Sequence, residues 1–281
     1  MAKTKAPPWT KYGIMLRDVM TGAWHDASAE FTTDMLAAFK DQDEQTVIEL
    51  ADNLGSIGKE LTESVTPEVK AIFKVAGKAG VTAWKAHATD VLGSKKAELS
   101  LAEYLAELEG AMVLQLGILA ETYPERVLHA EILRQLSLIV DNPFARIIDV
   151  EQITARVKIL MESEHYWESF SYLHVSRLWQ STGVELAHRN GVDVMQVVEV
   201  MDKRTCPVCR IFHGTEIRTA AMKEKIDSSL SITDPEEYIK AWPFPRWNEI
   251  QLSTPAELTE KNAIPPYHGS CRGTVRFLYS T

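Results

Sequence analysis

Apolar residues recur at helical spacing through the first two-thirds of the chain. Between residues 101 and 119, seven apolar positions follow an i, i+3, i+4 pattern, which predicts an amphipathic helix. The pattern continues over residues 127–139. Further helices are predicted over residues 35–50, 69–91 and 153–189. The pattern therefore predicts a mainly α protein.

Proline, glycine and asparagine give the expected helix boundaries. Thr66-Pro67-Glu68 predicts the start of the helix over 69–91, with the proline in its first turn. Gly77 and Gly80 weaken the prediction that this helix is continuous. Asp141-Asn142-Pro143 predicts a break, and Asn190-Gly191 predicts the end of the long helix that begins near residue 153.

The pattern changes after Gly191, where short β-branched runs replace the helical stripes. Residues 197–201, 214–218 and 274–279 are predicted as strands of a small antiparallel sheet. We therefore expect two domains: a helical N-terminal region over residues 1–150, and a small α+β domain over residues 151–281 that contains the long helix and the sheet.

Charge and composition narrow the possible functions. The chain has 30 Lys and Arg against 39 Asp and Glu, a net charge of −9. This excess of acid disfavours a general nucleic-acid coat protein, which needs cations to displace counterions. The acidic excess lies in residues 1–200, because residues 201–281 are near neutral. No apolar run is long enough to cross a bilayer, so no membrane association is expected.

All three cysteines belong to one metal-ligand pattern. Cys206 and Cys209 form a C-x2-C pair, and His268 and Cys271 form an H-x2-C pair after a long insert. Two closely spaced ligand pairs from distant segments are what a closed tetrahedral Zn2+ site needs. Three thiolates and one imidazole fill all four positions, which predicts a structural zinc and no catalytic metal.

Two alternatives to this ligand set remain open. A C-x2-C pair also occurs in redox dithiols, although no strand–CxxC–helix arrangement of the thioredoxin type is evident. His213 lies close enough in sequence to Cys209 to compete as a ligand. His268 is favoured because it shares a short turn with Cys271, and His213 is then expected to support a ligand or form the turn before Gly214.

The residues around the ligands extend the pattern. Asp202-Lys203-Arg204-Thr205 precedes the first pair, His213-Gly214 follows it, and Pro266-Tyr267-His268-Gly269-Ser270-Cys271-Arg272 closes the second. This resembles the C-terminal domain of the Mu F-like head morphogenesis family, the minor capsid proteins of tailed bacteriophages, which carries D-x-R-T-C-x-x-C and P-x-H-x-x-C-R segments. Gly273 departs from the family, which often has another cysteine there.

The resemblance implies a non-enzymatic role in the virion. A minor capsid protein of a phage or prophage would be made in the host cytoplasm and reside in the phage head. Its implied partners are the portal protein and the major capsid or scaffold proteins, with a transient contact to DNA during delivery. By the same resemblance, Asp202, Arg204, Thr205 and Arg272 are expected to orient the ligand-bearing turns.

Signals for catalysis are weaker. His129-Ala130-Glu131 upstream of the C-x2-C pair is similar to the H-x-E of zinc deaminases, but Thr205 stands where those enzymes have a proline. The H-x-E also lies in a helical stripe, far from the cysteines. The chain has no Walker loop, dinucleotide fingerprint or nucleophile elbow. A zinc-braced nuclease is the leading enzymatic alternative, although no His-His or Asp-His pair flanks the knuckle.

Overall fold

The computed structural model describes residues 6–93, 101–140, 150–241, 257, 264–267 and 271–278. The described chain is mainly helical, and it contains one small antiparallel sheet. The elements in chain order are α1 (Thr10–Asp41), α2 (Glu44–Asp52), α3 (Leu54–Leu92), α4 (Ala102–Thr122), a π-helical turn (Tyr123–Leu128), α5 (His129–Val140), α6 (Val150–Glu162), α7 (Glu164–Arg189), β1 (Val194–Val198), α8 (Pro207–Phe212), β2 (Glu216–Arg218), α9 (Thr219–Leu230), α10 (Pro235–Ala241) and β3 (Thr274–Phe277). The predicted mainly α fold with a small α+β region is confirmed.

The helix predicted to start at Pro67 begins earlier. Helix α3 starts at Leu54 and carries Pro67 in its interior. Proline removes one intrahelical hydrogen bond, but the buried stripe of Leu61, Val65 and Val69 runs on through this point. Burial of this stripe outweighs the local loss, so the predicted start is wrong. Helix α3 also continues through Gly77. A β-carbon at this position would lie only 2.6 Å from Leu105 Cδ1, so the glycine allows α3 and α4 to approach closely.

The long helix predicted over residues 153–189 is two helices. They meet at Ser163, whose positive φ of 50° ends α6 before α7 begins. The Ser163 hydroxyl donates to the Leu160 carbonyl at 2.6 Å and lies 3.0 Å from the Tyr123 hydroxyl. Because both apolar stripes are helical, periodicity alone could not reveal this break.

The three strands form a sheet in the order β2-β1-β3, with β1 in the centre. Both pairings are antiparallel, with Met195 opposite Ile217 on one side and Val197 opposite Val275 on the other. Strand β1 starts three residues earlier than predicted and ends at Val198. The predicted return of the chain after residue 214 and the closing strand from Thr274 are both confirmed.

The chain divides into two compact units, each assembled from separate stretches. One contains Met1–Arg17, Val69–Gln115 and Glu168–Thr281, and the other contains Asp18–Glu68 and Leu116–Trp167. The domain boundary predicted near residue 150 stays a prediction. Within the described ranges, no helix combines the length and the apolar character that crossing a membrane requires.

The unit that contains the cysteines is built on α7 and the sheet. The Trp84 indole stacks on Phe277 of β3 with ring centroids 5.4 Å apart, and its Nε1 donates to the Trp179 carbonyl at 2.9 Å. Gly183 lies directly against Trp84, since a β-carbon there would be 2.2 Å from the indole. These contacts fix β3, and with it the chain that follows Cys271.

The other unit has an aromatic core. Trp24 packs against Tyr123 and Trp167, with ring centroids 6.5 and 5.6 Å away. The Trp24 Nε1 donates to the Met161 carbonyl at 2.6 Å, so the buried indole is satisfied. Tyr123 also stacks on Tyr166.

Candidate metal centre

The turn before the first cysteine pair is held by its own polar side chains. The Asp202 amide donates to the Thr205 hydroxyl oxygen at 2.7 Å, and the Arg204 amide donates to Asp202 Oδ1 at 2.8 Å. The Thr205 hydroxyl donates to the Val200 carbonyl. These bonds are typical of Asp and Thr in turns. They direct the chain from β1 into α8.

Cys206 and Cys209 lie at the start of α8. Cys206 is the N-cap residue, Pro207 occupies the first helical position, and the Cys206 Sγ accepts the Cys209 amide at 3.4 Å. Proline suits this position because the missing amide hydrogen would have no helical partner there. The Cys209 side chain is buried, whereas Cys206 is half-buried.

Cys209 meets Cys271 from the far end of the insert. Their Sγ atoms are 3.8 Å apart, although 62 positions separate them in sequence. The Glu199 carboxylate joins them, with Oε1 3.7 Å from the Cys271 Sγ. The ligand atoms of Glu199, Cys209 and Cys271 all lie within 4.8 Å of one another, and all three residues are buried.

This cluster fits a tetrahedral metal ion. With zinc–sulfur bonds of about 2.3 Å, two thiolate sulfurs on one ion are about 3.8 Å apart, and a sulfur and a carboxylate oxygen about 3.6 Å apart. The observed 3.8 Å between Cys209 and Cys271 and 3.7 Å between Cys271 and Glu199 match these separations. The Glu199/Cys209/Cys271 cluster could therefore hold a metal ion.

The electrostatics of the cluster also favour a cation. Burial raises the pKa of Glu199 to about 7. The hydrogen bond with Cys271, together with burial and nearby negative charge, raises the pKa of the Cys209 thiol well above its ordinary range. Burial therefore disfavours the ionised forms of Glu199 and Cys209 at this site. A divalent cation at their centre would reverse that penalty.

Asp202 and Arg272 join the two ligand-bearing segments directly. Arg272 donates from Nη1 to Asp202 Oδ2 at 2.9 Å and from Nη2 to Oδ1 at 2.7 Å. The hydrogen bonds from Arg272 hold the pKa of the Asp202 carboxyl well below its usual range. The parallel geometry is the bidentate arrangement in which arginine recognises a carboxylate best. It brings together two residues on which the family resemblance rests.

His213 lies outside the ligand cluster. It is the C-cap residue of α8, and its Nδ1 accepts the Glu199 amide at 3.1 Å. The ring therefore holds the backbone of Glu199 in place, and the role of His213 in supporting a metal ligand stays a prediction. Asp202 and Thr205 lie in the turn before α8. The Arg210 guanidinium of α8 donates from Nε to the Thr205 carbonyl at 3.1 Å.

Not every predicted site residue is placed. His268 lies outside the described residues. Cys206 is described, but it does not belong to the cluster formed by Glu199, Cys209 and Cys271. Tyr267, immediately before His268, is buried and stacks on Phe212 of α8 with ring centroids 4.1 Å apart. The four-ligand set of Cys206, Cys209, His268 and Cys271 stays a prediction.

Two functional positions were missed at the level of sequence. Glu199 interrupts the apolar run Val197-Val198-Glu199-Val200. An acidic residue within a predicted strand could have indicated a functional position, because a buried carboxylate needs a partner. Gln180 on α7 gave no signal of its own. Its side chain donates to the Gly273 carbonyl at 3.2 Å and accepts the Val275 amide at 3.3 Å, so it pairs with β3 as a neighbouring strand would.

Comparison with known proteins gave no match: no family model, no curated protein and no solved structure corresponds to this chain. The likeness to the Mu F-like head proteins therefore rests on the residues quoted above.

Proposed function

We propose that this protein is a minor capsid or head morphogenesis protein of a tailed bacteriophage or prophage. In this proposal, a structural Zn2+ clamps the C-terminal module, and the protein associates with the portal during head assembly. The proposal assigns the protein no reaction.

One observation carries this proposal. The two halves of the resemblance, the segment around Asp202 and Cys209 and the segment around Cys271 and Arg272, come together through a pair of thiols and a bidentate ion pair. If these residues matched the family's motif only by chance, there would be no reason for the two segments to lie in contact. The contact between these two segments supports the interpretation that the resemblance to the family is genuine.

The chemistry of the cluster supports a structural role for the metal. Cys209, Cys271 and Glu199 are buried, and the paired Asp202 and Arg272 side chains are only 28% exposed. A metal enclosed in this way has little access to a substrate, whereas a catalytic zinc keeps an open position. The proposed ion therefore joins two chain segments, and it contributes its binding free energy to folding.

The first test is metal content. Elemental analysis of reduced, full-length protein should find about one zinc per chain, and Cys271→Ser should lose it. The exposed Ser228→Ala serves as the control and should keep it. A zinc-free wild-type protein would refute the structural zinc.

The second test is association. The protein should co-purify with the portal protein encoded in the same phage genome, and Cys206→Ser should weaken that association if the module forms the contact. A metal-dependent cleavage of DNA or RNA, abolished by one polar substitution that leaves the fold intact, would instead favour the zinc-braced nuclease.

A further inference from the structure

Gly273 leaves open the space that the Glu199 carboxylate occupies. A β-carbon on residue 273 would lie 2.1 Å from Glu199 Oε1 and 2.6 Å from Oε2, far inside van der Waals contact. The backbone at Gly273 is not in the left-handed region, unlike Gly214, whose φ is +83°. Glycine at this position therefore provides space for the carboxylate, and it is not required by the backbone conformation.

The carboxylate is held where a ligand is required. The His213 ring accepts a hydrogen bond from the Glu199 amide, and Gly273 leaves room for the carboxylate. The Cys271 Sγ lies 3.7 Å from Glu199 Oε1. A buried carboxylate without a cation partner is costly. The nearby Arg272 guanidinium pairs with Asp202 in a bidentate arrangement and not with Glu199.

We propose that Glu199 is itself a metal ligand, and that it completes the shell with Cys206, Cys209 and Cys271 in the position that the sequence assigned to His268. This inference rests on the proposed structural zinc and gives it a mixed thiolate–carboxylate character. The Cys206 Sγ lies outside the cluster of Glu199, Cys209 and Cys271, but it is on the same turn as Cys209 and accepts the Cys209 amide, so Cys206 is assigned as the remaining ligand.

The charge of this shell is consistent with its surroundings. Three thiolates and a carboxylate around Zn2+ leave a net charge of −2, one unit more negative than three thiolates with a neutral imidazole. Arg272, which directly follows Cys271 in the chain and pairs with Asp202, brings a positive charge close to the shell. Closure of the shell leaves no position for a reacting water.

The test measures zinc affinity on metal-stripped, reduced, full-length protein, in competition with a chromophoric chelator. Glu199→Ala should weaken zinc binding by about 100-fold, because it removes a ligand and such losses exceed the effects of outer groups. The control Glu216→Ala, at an exposed position of β2, should bind as the wild type does. His268→Ala should weaken binding less than Glu199→Ala.

Gly273→Ala provides an independent variant. Its methyl group should displace the carboxylate and weaken zinc binding about tenfold in the wild-type background. It should have no further effect in the Glu199→Ala background, where the space is vacant. Gly110→Ala, whose β-carbon would meet no atom within 4 Å, is the matched control. If Glu199→Ala fails to fold, Glu199→Gln keeps the side-chain shape and removes the anionic ligand.

The outcomes separate the two proposals. A wild-type protein that binds no zinc refutes the structural zinc itself. A wild-type protein that binds one zinc, with Glu199→Ala no weaker than Glu216→Ala or with His268→Ala the weaker of the two, refutes only the assignment of Glu199. Independent, additive losses from Gly273→Ala and Glu199→Ala would also refute it.

Discussion

Asp202 and Arg272, which directly follows Cys271, form a bidentate ion pair across 70 positions of sequence. Each side chain is 28% exposed, so solvent partly screens the attraction between their charges. The geometry of the pair therefore matters more than its net energy. Asp202 also accepts the Arg204 amide, so the same carboxylate organises its own turn and holds the opposite segment.

Arg272→Lys tests this geometry. Lysine keeps the positive charge but cannot donate two parallel hydrogen bonds to one carboxylate. We expect zinc affinity to fall by about tenfold, as for other groups that orient metal ligands. Arg276→Lys is the control, because Arg276 is exposed on β3 and bonds to Gln196. Chelator competition measures both variants, and equal affinities would show that charge alone suffices.

Gln180→Ala tests the side chain that pairs with β3. The substitution leaves the buried Gly273 carbonyl and Val275 amide without their partner. An unsatisfied buried group costs about 1–3 kcal/mol, so we expect a clear drop in the free energy of unfolding. Gln196→Ala, at a half-buried position of β1 whose side-chain hydrogen bond to the Gly214 carbonyl is exposed, should cost much less. Urea denaturation monitored by circular dichroism compares the two, and a similar loss in both would contradict the pairing role.

Gly183→Ala tests the close contact between α7 and Trp84. The added methyl group would lie 2.2 Å from the indole, so the tryptophan must move. Overpacking of this kind costs about 1–3 kcal/mol. Gly110→Ala has open space around it and should instead stabilise its helix by up to about 1 kcal/mol. Thermal unfolding and tryptophan fluorescence report both effects, and a Gly183→Ala protein as stable as the wild type would rule out the predicted strain.

His174→Gln tests the pH dependence of stability. Burial lowers the pKa of His174 to about 3, and its Nδ1 donates to the Phe170 carbonyl at 2.9 Å. Between about pH 6.5 and 3, the unfolded chain binds a proton at this residue and the folded chain does not. Stability due to His174 is therefore complete above pH 6.5 and falls by up to about 1.4 kcal/mol per pH unit below it.

The glutamine variant should lose this part of the acid sensitivity. His188→Gln is the control because His188 is exposed at the end of the same helix. Both should be measured with a chelator present, since acid also releases metal from thiolates. Identical pH profiles for the wild type and His174→Gln would contradict the assignment.

The sequence predicted most of the helices, because these depend on local patterns, and the same is true of the turn that carries Cys206 and Cys209. Cys206 and Cys209 share one turn, and Thr205 and Asp202 have the residue types that such turns use. The approach of Cys209 to Cys271 was expected only because metal ligands must converge. The boundaries at Pro67 and Ser163 were not predictable, since tertiary burial overrides local helix signals there.

The positions and contacts of buried polar residues were harder to predict from the sequence than the helices. Helix α7 is buried on several sides, and a periodic pattern assigns its polar positions to solvent. Gln180 and Arg177 are instead fully buried, where Gln180 bonds β3 and Arg177 bonds the Tyr238 hydroxyl. Glu199 was hidden for a related reason. Its contacts with Cys271 and Gly273 come from a segment more than 70 positions away in sequence.

Because Glu199 and Gly273 are in close contact, the residue that one position can accept depends on the residue at the other. A chain cannot gain a side chain at position 273 while it keeps a glutamate at 199, because the two would occupy the same volume. The Mu F-like proteins, which the sequence resembles, often have a cysteine at this position, and we predict that such a cysteine and the glutamate of this protein are alternative ways to fill one volume. Among homologues, we expect the two positions to change together: a cysteine at 273 should accompany a smaller residue at 199.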